Sequence, residues 1–276
     1  MEVDELFSSI GGAFELNDNQ LTLSGTHAYT NGTFTGSNGS DMVISELPAD
    51  LGDAIRFTSG GAGQLLRDFT MLKAGTAAIG TDLTIRRDLI TTDGAIELPS
   101  GTTAGLNTLT LLGNHVRVAG TLTGSNESHL TILGTGDLGD PLHFTTGGRF
   151  IQELIVNRTS NGVVTLGTDL RVGETADTDG VLTMTNGEVV INGQTLTIVA
   201  SPTGYARTNG TFTGSATSRM ALDGTGDLGD GTATGALYFT AGGTGQQLSD
   251  FDVQRSNGLA YLGTNLTVLD SFYLEQ

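Results

Sequence analysis

The chain writes one long pattern three times, and that repetition limits its fold more than any local signal does. In the first copy NGTFTGS at 31–37 is followed by DLGD at 50–53, IRFTSGG at 55–61 and IGTDLTI at 79–85. The second runs AGTLTGS at 119–125, GTGDLGD at 134–140, LHFTTGG at 142–148 and LGTDLRV at 166–172. The third runs NGTFTGS at 209–215, GTGDLGD at 224–230, LYFTAGG at 237–243 and LGTNLTV at 262–268. Related lead-ins open each copy: GAFEL from Gly12, GAIEL from Gly94 and GEVVI from Gly187. The period is about 90 residues, which divides the chain into repeats at about 1–93, 94–186 and 187–276. The third copy is longer by GTATGA at 231–236, and an insertion that leaves its flanks intact marks a surface loop.

Within a copy the hydrophobic period is two. Leu21-Thr22-Leu23, Leu109-Thr110-Leu111 and Thr195-Leu196-Thr197-Ile198 alternate in the manner of half-buried strands. Asn-Gly pairs at 31–32, 161–162, 186–187, 192–193, 209–210 and 257–258 supply turns with positive φ. Stretches 62–73 and 150–156 have some helical character, but Phe69-Thr70-Met71-Leu72 and Leu154-Ile155-Val156 read better as strands, and essentially no helix is expected. Two architectures accommodate strands this short. One is a right-handed parallel β-solenoid, a single repeat-built domain over 1–276 with about four coils of roughly 20–25 residues per repeat, about twelve in all. The other is three tandem Ig-like β-sandwiches. The sandwich wants longer strands, a central Trp or a tyrosine corner, and linkers. With Trp 0, only Pro 4, Gly 42 and copies that run on without a break, the sequence favours the solenoid. Its core should include the pairs Phe57/Leu83, Phe144/Leu170 and Phe239/Leu266.

Residues 2–6 stand where Leu83-Thr84-Ile85 stands before the second copy, and LTVLDSFYLEQ at 266–276 reads as the opening of a fourth unit. The pattern therefore predicts a piece of a longer protein, with sheet edges at its ends that favour end-to-end association. The net charge of −18, with Arg86-Arg87 the only adjacent basic pair, argues against nucleic acid and anionic membrane surfaces as partners. Cys 0 removes disulfides, thiolate metal sites and cysteine nucleophiles. MEVDELFSSIGG is not a signal peptide, and no apolar run approaches the ~18 residues of a membrane span, so no membrane insertion is expected.

Taken together, GTFTGS, GTGDLGD, FTTGG and LIVNRTSNGVVTLGTDL resemble the repeat segments of very large secreted and surface proteins of Bacteroidota bacteria. The resemblance covers nearly the whole chain and rests on rhythm and composition rather than on a catalytic signature. It implies a β-helical stalk or adhesin rod outside the cell, exported by a gliding-associated route. It also implies an extracellular or cell-surface location, other repeats of the same parent chain as neighbours, and a surface polysaccharide or a host or substratum ligand as partner.

The sharpest chemical candidate is D-L-G-D, which places Asp50 with Asp53, Asp137 with Asp140, and Asp227 with Asp230. Carboxylates three residues apart around a glycine can converge on Ca²⁺. The competing reading is a tight turn in which Asp bonds its own backbone, and it is the stronger of the two because no EF-hand or nonapeptide calcium spacing is present. No other cofactor is expected. Paired carboxylates could also serve a polysaccharide-processing β-helix, yet these pairs recur in every repeat while an active site is normally singular, so no enzyme is expected. His27 and His115 fall at equivalent positions where the third copy has Tyr205, which suits packing. His129 and His143 lack partners at metal-ligand spacing. The T-x-T pairs at 33–35, 121–123 and 211–213 offer exposed threonines for sugar contact, although ordinary β-propensity also explains them.

Overall fold

A computed structural model describes residues 1–45, 50–100, 107–173, 180–201, 203–229 and 235–275. Strand makes up 55% of the chain and helix 4%, and the parallel strands stack into a β-solenoid of about 10 turns. Among the described residues helix is confined to single 3₁₀ turns such as Gly61–Gln64 and Gly243–Gln246, these two each leading into a strand. Of the two stretches with some helical character, 62–73 begins in the 3₁₀ turn Gly61–Gln64 and continues as the strand Leu65–Met71, while 150–156 lies in the strands Phe150–Ile151 and Glu153–Thr159.

The chain divides into two compact units, Met1–Leu130 and Thr131–Gln276. In the first, Glu2–Val3, Gln20–Leu23, Asp41–Ile44, Leu65–Met71, Leu83–Thr91 and Thr108–Leu111 stack in that order in one sheet. A second face pairs Leu6–Ser9 with Thr26–Tyr29. A third face carries Ala13–Glu15 on Thr33–Thr35, and Thr76–Ala78, Ala95–Glu97 and Thr121–Thr123 as a separate sheet. The second unit has three faces too. They are Glu153–Thr159 with Val181–Asn186 and Tyr205–Arg207; a sheet running from Phe150–Ile151 to Thr267–Glu275; and Val163–Thr165 with Glu188–Val190 and Thr211–Thr213. All these named strand pairings are parallel, which rules out the sandwich alternative, because Ig-like sheets are antiparallel.

The two-residue period explains the core. In Thr108–Leu111 the leucines turn in and the threonines turn out, and Thr33–Thr35 and Val163–Thr165 bury only their middle residue. Parallel register then stacks like upon like. In the first unit Leu21, Met42, Phe69, Leu89 and His115 form one buried column, and in the second Leu170, Leu196, Met220 and Phe251 form another. Phe34 stacks over Phe57 at 6.1 Å and Phe212 over Phe239 at 6.0 Å, so the repeated F-T strands set aromatic rings above one another. Gly36 and Gly214, the glycines of TFTGS, are required by close approach. A Cβ there would lie 2.0 and 2.1 Å from the carbonyl oxygens of Leu65 and Gln247.

Two expectations change. About 10 turns replace the twelve expected, because the coils use more chain than 20–25 residues: Asp50 bonds Thr76 and Asp137 bonds Val163, each 26 residues on, and Asp227 bonds Leu259, 32 on. Of the six core residues named, Phe57, Leu83, Phe144, Leu170 and Phe239 are buried, but Leu266 is only half-buried, since it belongs to the outermost coil of the second unit. Most of the 231–236 insertion lies outside the described residues. Truncating Phe144 to Ala should therefore lower unfolding free energy by about 3–5 kcal/mol, and Leu266 to Ala by less than about 1 kcal/mol, read from urea unfolding midpoints. Equal losses at the two positions would contradict this core.

Candidate functional site

A coil that turns a corner leaves its strand partners for a residue or two, and its backbone N–H groups then need other acceptors. The repeated polar residues meet that need. Asp50 Oδ1 accepts the N–H of Thr76 at 3.1 Å, Asp137 Oδ1 that of Val163 at 3.1 Å, and Asp227 Oδ1 that of Leu259 at 2.9 Å. The partner lies 26 residues on in the first two copies and 32 in the third, which carries the insertion. The first Asp of each D-L-G-D thus pins its corner to the next coil. Where the turn reading has Asp bond its own backbone, the acceptor here serves a neighbouring coil. Asp53 Oδ2 accepts the N–H of Tyr29 at 2.8 Å, so in the first copy the two carboxylates engage coils on opposite sides. Asp140 is exposed and Asp230 lies outside the described residues. The leucine between the aspartates is a core plug in every copy, as Leu51, Leu138 and Leu228 are all buried. Among the described residues no group of three or more His, Asp or Glu is placed to hold a metal ion.

The G-T-D element works the same way. Thr81, Thr168 and Thr264 accept through Oγ1 the N–H of Phe57, Phe144 and Phe239 at 2.8, 2.9 and 2.8 Å. Asp82 and Asp169 accept the N–H of Thr108 and Thr195 at 2.7 and 2.8 Å. Serines after TFTG and TLTG close a third corner. Ser37 with Ser40, Ser125 with Ser128 and Ser215 with Ser218 approach to 2.7, 2.9 and 2.8 Å.

Two buried guanidinium groups escaped the sequence reading. Arg158 donates to the carbonyl oxygens of Leu133, Thr135, Gly136 and Asp137 at 2.7, 2.9, 2.6 and 3.0 Å. Arg255 donates to those of Ala200, Asp223, Thr225 and Gly226 at 2.8, 2.6, 3.0 and 2.9 Å. Each fills a cage of carbonyl oxygens of the sort that could otherwise take a bare cation, and burial pushes the Arg158 pKa down against the opposing charge of Asp137. Lys73 follows the corresponding strand of the first copy but is exposed. Equivalence of Lys73, Arg158 and Arg255 was the available signal. It was hidden because LKAG, NRTSNG and QRSNG differ in length.

In the first unit a second carboxylate set is stacked by register: Asp41 lies beside Asp68, and Asp68 beside Asp88. Arg67 forks onto Asp41 and reaches Asp68 at 3.7 Å, while Arg87 bonds Asp68 and lies 3.2 Å from Asp88. The interleaved arginines neutralise a column of like charge.

The histidine slot is a packing slot. His27 is buried against the rings of Phe7 and Phe34, at 5.9 and 5.6 Å, with Nδ1 3.1 Å from the Asp53 carbonyl. His115 lies 3.2 Å from the Thr91 hydroxyl, and Tyr205, equally buried, has its phenol pushed above the usual value by desolvation. The outward threonines of T-x-T are tied between coils, Thr33 to Thr58 at 2.7 Å and Thr211 to Thr240 at 2.9 Å. One polar groove of about 430 Å³ opens in the second unit, lined by Arg158, Asn161, Asn186, Glu188, Asn209 and Thr211 among others. Asn186 donates to Asn157 at 2.8 Å and Asn209 to Asn186 at 3.4 Å, an asparagine ladder along that groove.

The chain matches no family model, no curated protein and no solved structure. No helix of the described residues is long and apolar enough to cross a membrane.

Replacing Thr168 by Val, which keeps shape but removes the acceptor for the Phe144 N–H, should cost about 1–3 kcal/mol, with Thr168→Ser close to wild type. An unchanged urea midpoint for the valine variant would show the bond is dispensable. A second expectation concerns pH. Desolvation holds the His27 pKa below 6.5, against the raising effects of the Asp53 carbonyl and charge. The unfolded chain then binds the proton more readily, so this contribution is full above 6.5 and is lost as pH falls through 6.5 towards the folded value. Between about pH 7 and about pH 5.5 the wild type should lose more stability than His27→Phe, and equal losses in denaturant titrations would contradict the assignment.

Proposed function

We propose that the chain is a non-catalytic structural or adhesive repeat segment, a stalk or adhesin rod, of an exported bacterial surface protein of the kind its repeats resemble. One observation supports this most. The recurrent residues that look chemical in the sequence are occupied in holding coil to coil: Asp50, Asp137 and Asp227, Thr81, Thr168 and Thr264, and Asp82 and Asp169 each accept a backbone N–H from a neighbouring coil. Repeating the same bonds copy after copy extends a scaffold and multiplies its length; it does not assemble a singular reactive centre. The acidic, lysine-poor surface keeps such a scaffold soluble and repels anionic membranes. Calcium at the D-L-G-D turns remains a secondary element of the reading, because in the first copy both carboxylates already serve as backbone acceptors.

A second reading, contact with a surface polysaccharide, is favoured by the groove beside the asparagine ladder, where amides and the Glu188 carboxylate could bond sugar hydroxyls. Antibodies raised against the folded chain should label intact, unpermeabilised cells of the source organism, and surface protease treatment should remove the signal. Labelling that needs permeabilised cells would overturn the surface assignment. Retention on a polysaccharide column that is lost in Asn209→Ala would shift the emphasis from stalk to adhesin.

A further inference from the structure

In a chain of like coils, a residue that one copy alone carries is not demanded by the fold. Strand register sets several such positions side by side. Leu65 pairs with Thr84 in the first copy, Phe150 with Arg171 in the second and Gln247 with Thr267 in the third. The residues just before the first of each pair are Gln64, Arg149 and Gln246. The second copy therefore has two arginines and a phenyl ring where the others have glutamine, leucine and threonine. The chain holds only 12 basic residues against 30 acidic ones, so two in an otherwise neutral slot concentrate positive charge.

These residues line one groove. The strand Phe150–Ile151 turns Ile151 into the core and Phe150 outward, and parallel register continues the outward column through Arg171 to Thr197. A hollow of about 340 Å³ opens there, lined by Arg149, Phe150, Asp169, Arg171, Thr195 and Thr197 among others. Asp169 is already committed: Oδ1 accepts the N–H of Thr195 at 2.8 Å, and Oδ2 accepts from Arg149 at 3.2 Å. Arg149 Nε, in contrast, is shut off from solvent and has no hydrogen-bond partner. Such a donor costs free energy until the side chain turns it towards an acceptor. Arg171 donates through Nε to the Gly173 carbonyl at 3.1 Å and stands 3.6 Å from Asp223, with 40% of its side chain exposed.

We propose that this groove binds a sugar residue that carries a carboxylate, such as a terminal uronate. A guanidinium meets a carboxylate with two parallel donors, and Arg149 has a donor in need of an acceptor. Phe150 supplies an aromatic surface for the C–H groups of a pyranose. The hydroxyls of Thr195 and Thr197 exchange hydrogen bonds with those of the sugar. An apolar platform with a few convergent polar groups is the usual make-up of a small-ligand site. One feature opposes an acidic ligand: the net charge of −18 repels a long polyanion, so the ligand is a single charged residue at a chain end or branch. Neither the stalk assignment nor the asparagine groove is needed for this site, which shares no lining residue with that groove.

The test is an NMR titration of the isotope-labelled chain with the methyl β-glycosides of glucuronic acid and of glucose, in about 0.15 M sodium chloride. The glucuronide should shift the Arg149 Nε–H resonance, identified by its loss in Arg149→Gln, and should bind about fivefold or more tightly than the glucoside. Arg149→Gln with Arg171→Thr installs the residues that the other copies carry, so the urea midpoint should hold while glucuronide affinity falls about tenfold or more. If the midpoint drops, Arg149→Lys, which keeps the charge and loses the planar fork, takes its place and should also weaken binding. Phe150→Leu, the residue of the first copy, should weaken the glucuronide as well. Equal affinity for the two glycosides, sodium acetate binding as tightly as the glucuronide, or glucuronide affinity unchanged in the arginine variant would each overturn the proposal.

Discussion

Everything in this molecule depends on the N–H groups at the corners of its coils. Along the faces, parallel neighbours satisfy the backbone automatically, and alternation of Leu or Phe with Thr decides which side is buried. At a corner the chain must bend while staying in step with the coils on either side, and an unsatisfied N–H there would forfeit a hydrogen bond in a part-buried setting. The repeated Asp, Thr and Ser residues are the answer to that geometric demand. They are short, they accept, and they stand where a strand has just ended. The two buried arginines solve the complementary problem, since tight corners also crowd carbonyl oxygens together, and a planar fork with five donors can satisfy four of them at once.

Much of the fold was legible because repetition and the two-residue period are both written along the chain. The F-T strands, the T-D-L strands and the leucine inside D-L-G-D all fall in the core where alternation places them. The coil length was harder to read, because apolar alternation marks strands but does not say how many share one turn, and three per turn uses more residues than expected. The role of Asp137 shows the deeper limit. Its spacing from Asp140 is visible at a glance and suggests either a shared ion or a local turn, whereas its partner is the N–H of Val163, which only stacking brings near. Local spacing reports what happens inside a coil; the contacts that matter here run between coils. Arg158 and Arg255 were hidden for a related reason, as the corners they brace vary in length from copy to copy and blur the alignment that would pair them with Lys73.

The same economy accounts for the unusual composition. Lysine and tryptophan have little place where side chains lie a strand spacing apart and stack on their own kind, while glycine is needed wherever a corner passes close to the coil above, as at Gly36 and Gly214. Acidic residues accumulate as corner acceptors, so the large negative charge is partly a by-product of backbone satisfaction. Where register forces carboxylates into a column, as at Asp41, Asp68 and Asp88, two of the few basic residues are set between them.

The pins that join each corner to the next coil also bear on how such a gene can change. A deletion of a few residues inside a strand would put every later Asp and Thr opposite the wrong N–H, whereas loss or gain of a whole repeat returns each acceptor to an equivalent partner. The third copy carries its extra residues between Asp227 and Leu259, and the bond from the Leu259 N–H to Asp227 is still made. Unequal crossing-over between copies, which shifts sequence by whole periods, is therefore the kind of mutation this architecture absorbs most readily, and length is the trait it can vary without redesign.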